Sequence, residues 1–227
     1  FNEHQPEVIA LLSSLGPSFE IKYFNPSAKK LSPSFIEKFS DLTIDFHDHN
    51  VRLHNKLLLI DNYIALTGGR NINNHYFDQV IGMNYKDRDV LLVLPTATEI
   101  TNCFYSYWNS NNSISTRELI DVKKLLVENN FSKSLQKRRF FEYDIFKQIS
   151  AQASNIKYIQ DHFTDLLCEV ERVEWIYDLP DKVDRAPVSN SAVTKRLLAL
   201  MKHAESDVVI QSPYVVLSSD LQKAFTE

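Results

Sequence analysis

Leu53-His54-Asn55-Lys56-Leu57-Leu58-Leu59-Ile60-Asp61-Asn62-Tyr63-Ile64-Ala65-Leu66-Thr67-Gly68-Gly69-Arg70-Asn71 is the stretch that decides how this chain folds. Its apolar run Leu57 to Ile60 is too short for a helix and stops at a turn signal, so residues 51–60 are expected to form a buried strand. Asp61-Asn62 is a favoured tight-turn pair, and Ile64 to Thr67 reads as the returning strand. A two-residue loop would pair Ile60 with Tyr63, which sets His54 opposite Gly69 and Arg52 opposite Asn71. Strand side chains alternate faces, so His54 and Lys56 share one. The glycines fall beside them, where backbone can approach an anion closely and offer its N–H groups. One hairpin then carries an imidazole, a fixed positive charge and hydrogen-bond donors, the groups that cleavage or transfer of a phosphodiester needs.

Working outward, Glu7 to Leu15 reads as a helix ending at Gly16-Pro17, and Glu20 to Phe24 as a strand followed by a loop from Asn25 to Ser34. Arg88 to Leu94 is expected to be a strand and Thr96 to Trp108 a helix. Its Ile100, Phe104, Tyr107 and Trp108 fall at helical spacing and are read as core. The polar stretch Asn109 to Ser113 reads as a linker closing the first module. Ser115 to about Leu167 reads as mostly helical, with apolar Leu119, Val122, Leu125 and Leu126. Beyond it a strand is expected over Glu169–Tyr177, a loop to Ser189, a helix over Ser191–Lys202 and a strand over Asp207–Gln211. Ser218 and Ser219 can cap a last helix.

Of the 227 residues, 44% are hydrophobic and 24% charged, ordinary values for a globular chain with a real core. The formal charge of −4 argues against a nucleic-acid binder dominated by phosphate contacts. Cys103 and Cys168 have no metal-ligand spacing and are read as reduced, buried thiols. His47-Asp48-His49 lacks a third ligand at a fitting distance and is read as a loop. Lys137-Arg138-Arg139-Phe140-Phe141 could meet anionic lipid head groups, but is read in the first place as a solvated helix face. No run of 18 apolar residues is present, so membrane contact would be peripheral.

The pattern His54-x-Lys56-x4-Asp61-x6-Gly68-Gly69-x-Asn71 resembles the HKD signature of the phospholipase D superfamily. Its flanks resemble the bacterial cardiolipin synthase branch, especially the cardiolipin synthase C type. They are Arg52, Ile72 with Tyr76-Phe77, Asp89-Val90, and Phe104-x-x-Tyr107-Trp108-Asn109-Ser110. Phe24-Asn25-Pro26, Asp178-x-Pro180-x-Lys182 and Ser212-Pro213-Tyr214 are similar to further landmarks of that branch. The resemblance is dense from about Arg52 to Ser110 and sparser elsewhere.

This resemblance implies an α/β fold, a phospholipase D-like mixed sheet flanked by helices. Residues 1–110 would form the first half with the motif, 111–168 a helical insertion, and 169–227 the start of a second half. It also implies two HKD histidines facing one phosphate, one forming a phosphohistidine while the other protonates the leaving oxygen. His54 would be the nucleophile or the acid. Lys56, Gly69 and Asn71 would hold phosphate oxygens, and Asp61 would orient from behind. Asp89 would fix the imidazole tautomer, with Asp87 as the competing assignment. No metal or cofactor is implied. The implied partners are a phospholipid substrate, a membrane surface met peripherally from the bacterial cytoplasm, and a second HKD half.

A second HKD motif is not in the sequence, since His162 and His203 are not followed by a lysine two positions on. It is expected in the rest of a longer parent chain, or less readily on a homodimer partner, so the chain reads as an interior piece with little activity by itself. Two alternatives stay open: a nuclease or general phosphodiesterase on the same scaffold, and an inactive half-site acting as an interaction domain.

Overall fold

A computed structural model describes residues 6–34, 53–128, 144–180, 191–210 and 219–225. The chain is α/β, as expected, with small antiparallel sheets flanked by helices.

The first packed unit joins distant segments. Helix α1 (Pro6–Ser13) and strand β1 (Lys22–Phe24) meet strand β5 (Ser113–Ser115) and helix α3 (Ile120–Glu128). β1 pairs antiparallel with β5, Tyr23 opposite Ile114. Ile9 and Ala10 of α1 pack on Leu119 and Val122, with Ile21, Tyr23, Ile114 and Leu125 around them. Polar groups seal the seam. The Ser13 and Thr116 hydroxyls share a buried 2.9 Å hydrogen bond. Arg117 donates to the Ser13 and Gly16 carbonyls at the open end of α1. Asp121, in the first turn of α3, accepts from the N–H groups of Leu31 (3.1 Å) and Ser32 (2.8 Å). Residues 113–128 therefore pack with residues 9–32, across the polar stretch Asn109 to Ser113.

The second unit is the hairpin. Strands β2 (Leu57–Ile60), β3 (Ile64–Gly68) and β4 (Asp89–Val93) form an antiparallel sheet in that order. Helix α2 (Thr98–Trp108) covers one face of it. There Ala65, Ala97 and Ile100 are buried, with Leu57, Leu59, Leu92, Leu94 and Trp175 packed around them.

The register differs by one from the expected one, because Ile60 pairs with Ile64 and Leu57 with Thr67. Asp61 (φ 50°) and Asn62 (φ 58°) take the two left-handed positions of a tight turn, but Tyr63 is an extra residue outside the ladder. The neighbouring chain holds it there. The Tyr63 carbonyl accepts from Leu94 N–H at 2.9 Å and the Asn62 carbonyl from Ala97 N–H at 2.8 Å. Thr101 also donates its hydroxyl to the Asn62 side chain. The turn is thus tied to the start of α2, a long-range constraint that turn propensity does not register.

Beyond these units come helices α4 (Asp144–Ala153), α5 (Ile156–His162), α6 (Ala192–Lys202) and α7 (Ser219–Ala224). Ser191 caps α6, accepting from Thr194 N–H at 2.9 Å. The strands expected over 169–177 and 207–211 are not found at 169–177 or 207–210, and residue 211 lies outside the described residues. Side chains fix the first of these stretches where no strand pairs with it. Arg196 of α6 grips the Glu174 carboxylate through two bonds of 2.8 and 2.7 Å. Trp175 packs beside Ala65 and Ile100. Tyr107 donates to the Asp178 carbonyl at 2.9 Å.

Candidate active site

The expected site residues lie around the open end of the hairpin, with one exception. His54, Asn55 and Lys56 precede β2 and carry no strand assignment, so the ladder argument does not reach them. The segment is still anchored, because Thr67 donates its hydroxyl to the Lys56 carbonyl at 2.9 Å. Its side chains also still alternate. Leu53, Asn55 and Leu57 line a cavity of about 220 Å3, and the intervening His54 and Lys56 do not. His54 is exposed and Lys56 half-buried.

The observed register, continued one residue past β2, puts Lys56 opposite Gly68. The expected pairing of His54 with Gly69 moves along accordingly. Asp61 is the exception. It sits in the turn at the far end of β2, separated from Lys56 by roughly 13 Å of strand.

The glycine pair is explained by what lies against it. A Cβ on Gly68 would come 2.6 Å from the Arg88 carbonyl oxygen and 2.9 Å from the Asp89 Cα. On Gly69 it would come 2.7 Å from an Asp87 carboxylate oxygen. Close approach of the backbone entering β4 therefore demands glycine at position 68, whereas at position 69 only the Asp87 side chain stands in the way.

Arg70 organises the same corner. Its Nε donates to Asp89 at 2.8 Å, one Nη to the Tyr76 carbonyl, and the other Nη to the Asp87 carbonyl at 3.0 Å. Its guanidinium also lies over the Phe77 ring. Asp89, expected beside the imidazole, is thus held by Arg70. Asp87 turns a carboxylate oxygen to Arg88 N–H at 2.9 Å. His54 has no hydrogen bond among the described residues. Asn71 donates from Nδ2 to the Tyr76 hydroxyl at 3.1 Å. Neither Arg70 nor Tyr76 is expected from the sequence to take part in the site. A signal for their role was available in Lys86-Asp87-Arg88-Asp89, which offers carboxylates on which an arginine next to the glycines can close.

The cavity on the other side of the His54 segment is aromatic. Phe104, Tyr107 and Trp108 of α2 line it with Phe24, Lys22, Cys103 and Ser113. The aromatic stripe expected to be core is therefore divided: Ile100 is buried in the core, whereas Phe104, Tyr107 and Trp108 form cavity wall. Helical periodicity finds a face but does not say whether another element fills it. Lys22 donates to the Trp108 carbonyl at 2.9 Å and lies over its ring. Burial pushes the Cys103 thiol pKa up. The Trp175 indole N–H pulls it back, although too loosely to count as a hydrogen bond. Tyr107 is pushed up to about 12, by burial first and then by Cys103 and Asp178. Cys168, read as buried, is exposed.

Among the described residues no group of three His, Cys, Asp or Glu side chains is placed to hold a metal. No described helix is long and apolar enough to cross a membrane. Arg52, His47-Asp48-His49, the basic cluster at 137–141, Lys182 and Ser212-Pro213-Tyr214 all lie outside the described residues.

Comparison with known proteins gives partial matches. Over 118 residues, 51% of this chain and 23% of the relative, the sequence is 32% identical to cardiolipin synthase C of Escherichia coli. Over 224 residues, 95% of this chain and 42% of the relative, it is 26% identical to an uncharacterized protein of Helicobacter pylori. A 65-residue stretch is 35% identical to an uncharacterized protein of Streptococcus mutans. The chain spans less than half the length of these relatives, all of them bacterial. No family model and no solved structure matches it.

Proposed function

We propose that this chain carries one half of the active site of a phospholipid phosphatidyltransferase of the cardiolipin synthase kind, working through a phosphohistidine at the bacterial membrane surface. The observation that carries the reading is the spacing His54-x-Lys56-x4-Asp61, which resembles an HKD signature. The 32% identity over half the chain to a cardiolipin synthase supports it.

In the first step an imidazole nitrogen of His54 attacks phosphorus. The bond from phosphorus to the leaving alkoxide breaks, and the histidine of a second HKD element protonates that oxygen. In the second step an alcohol, or water, gives its proton to the same partner histidine and displaces His54 from phosphorus. Lys56 and the Gly69 N–H neutralise the phosphoryl oxygens. An amide nitrogen has two N–H donors, so Asn71 can hold Tyr76 and keep one for phosphate. The Asp89 carboxylate, gripped by Arg70 on one oxygen, retains acceptor capacity for the His54 ring, and Asp87 stays the competing candidate. Asp61, at the far end of β2, supports the hairpin rather than the reacting atoms. The second HKD element comes from elsewhere in the parent chain or, less simply, from a homodimer partner.

The test is to incubate the intact parent protein with phosphatidylglycerol labelled at phosphorus. An acid-labile label on His54 and loss of product in His54→Ala, by about 10⁴-fold or more, are expected. Near-normal turnover by His54→Ala would overturn the assignment. Cleavage of DNA in preference to phospholipid would move it to the nuclease alternative.

A further inference from the structure

The segment between Asn71 and β4 forms a braced loop with an apolar tip. Its neck is closed by Tyr85 N–H donating to the His75 carbonyl at 2.8 Å and by the Tyr76 and Tyr85 rings, 4.9 Å apart. Its shoulders are tied as well. The His75 Nδ1 lies 3.1 Å from the Met83 carbonyl, and Asn84 donates to the Val80 carbonyl at 2.9 Å. A loop with close ends and internal ties of this kind holds its shape. At the tip, Gly82 takes φ +122°, a conformation that needs glycine. It turns the chain between Ile81, fully exposed at 106% of its reference area, and Met83 at 73%. The loop thus holds two apolar side chains in water instead of folding them back.

Two features say what covers them. The first is charge. Lys86 and Arg88, both exposed, follow the tip after Asn84 and Tyr85, while the intervening Asp87 turns its carboxylate back to Arg88 N–H and Gly69. Lys86 meets Asp78 at 2.7 Å, but with side chains 80% and 60% exposed the pair is weak and can exchange for a phosphate. The second is size. An aliphatic and a thioether side chain bury on the order of a few hundred Å2, against roughly 1,200 Å2 for a specific protein–protein contact. A small apolar wedge with cations behind it matches a lipid surface. The loop is also tied to the candidate site, since Arg70 holds the Asp87 carbonyl and Gly69 abuts the Asp87 side chain.

We infer that the Ile81-Gly82-Met83 tip inserts into the acyl layer of an anionic phospholipid surface, with Lys86 and Arg88 at head-group level. This inference rests on the phospholipid reading for its meaning but not for its test. Arg70 and the glycine pair then hold the His54 corner at the depth of the head-group phosphodiesters.

The test uses the 227-residue chain. Cys168→Ser leaves the buried Cys103, and Ile81→Cys in that background takes an environment-sensitive fluorophore at the tip. On vesicles of phosphatidylglycerol and phosphatidylethanolamine the emission shifts to the blue, less so on phosphatidylcholine or at high salt. Unlabelled Ile81→Asp, and separately Met83→Ser, keep the parent's circular dichroism and co-sediment with the anionic vesicles about ten-fold less. Three results would each overturn the inference. They are an unshifted label on sedimenting protein, Ile81→Asp sedimenting like the parent, and a shift that grows with protein concentration without vesicles, which makes a second copy the occupant. Binding is read without turnover, so failure of the catalytic assignment leaves this result standing.

Discussion

The two faces of the β2–β3–β4 sheet use the same kinds of residue to opposite effect. On the face under α2, Ala65 is fully buried and Leu57, Leu59 and Leu92 pack with Ile100 and Trp175. On the other face Leu58, Ile60, Leu66 and Val93 stay exposed, Leu58 by 54%. Lys56, Gly68 and Asp89 continue that open face toward the candidate site. A run such as Leu57-Leu58-Leu59-Ile60 offers no hint of the difference, and the expectation of a buried strand holds for one face only. The covered face supplies the stability that lets the open face expose apolar side chains and carry the Arg70–Asp89 pair at its end.

The comparison breaks first if the covered face can be eroded cheaply. Ile100→Ala, at a buried core side chain, is expected to cost about 2–5 kcal/mol in urea unfolding, whereas Leu58→Ala, at an exposed one, should cost under about 1 kcal/mol. Equal losses would mean that both faces are covered.

A second probe sits where the open face meets the site. Gly68→Ala drives a methyl into backbone of Arg88 and Asp89 and should cost about 1–3 kcal/mol. Gly69→Ala meets only the Asp87 side chain, so it should cost less and be rescued by Asp87→Ala. Failure of that rescue would place the demand for glycine elsewhere.

The third probe reads the covered side by titration. Tyr107 is raised to about 12 from 10.0, and Cys103 is raised from 9.0. Their neutral forms are favoured in the folded chain. That contribution is fully present below the unfolded pKa values and is lost as pH rises through the folded ones. Stability should therefore begin to fall above about pH 9. Tyr107→Phe should remove the part lost between about pH 10 and 12, on the order of 1–2 kcal/mol. An unchanged profile in Tyr107→Phe would place that phenol in water.

The composition of the site was legible because its members are close in sequence. His54, Lys56, Gly68, Gly69 and Asn71 need only a hairpin to come near one another, and a hairpin is written in local turn chemistry and apolar runs. Which groups of Lys86-Asp87-Arg88-Asp89 Arg70 grips, the Asp89 carboxylate and the Asp87 carbonyl, was not legible. Nor was the partition of the aromatic stripe between Ile100 in the core and Tyr107 at a cavity, because each depends on what packs from elsewhere.

By itself the sequence determined that residues 57–68 make a hairpin, that α1, α2 and α6 are helices, and that Leu53, Asn55 and Leu57 share one wall. Propensity, capping and side-chain alternation act over a few residues and need no partner. Tertiary structure alone decided the register, because Leu94 and Ala97 hold the turn from outside the hairpin. It alone decided which sheet face α2 covers, that β5 returns to β1, and that residues 169–177 form no strand. Each of these is a contact between segments far apart in the chain, and its energy belongs to the pair rather than to either sequence.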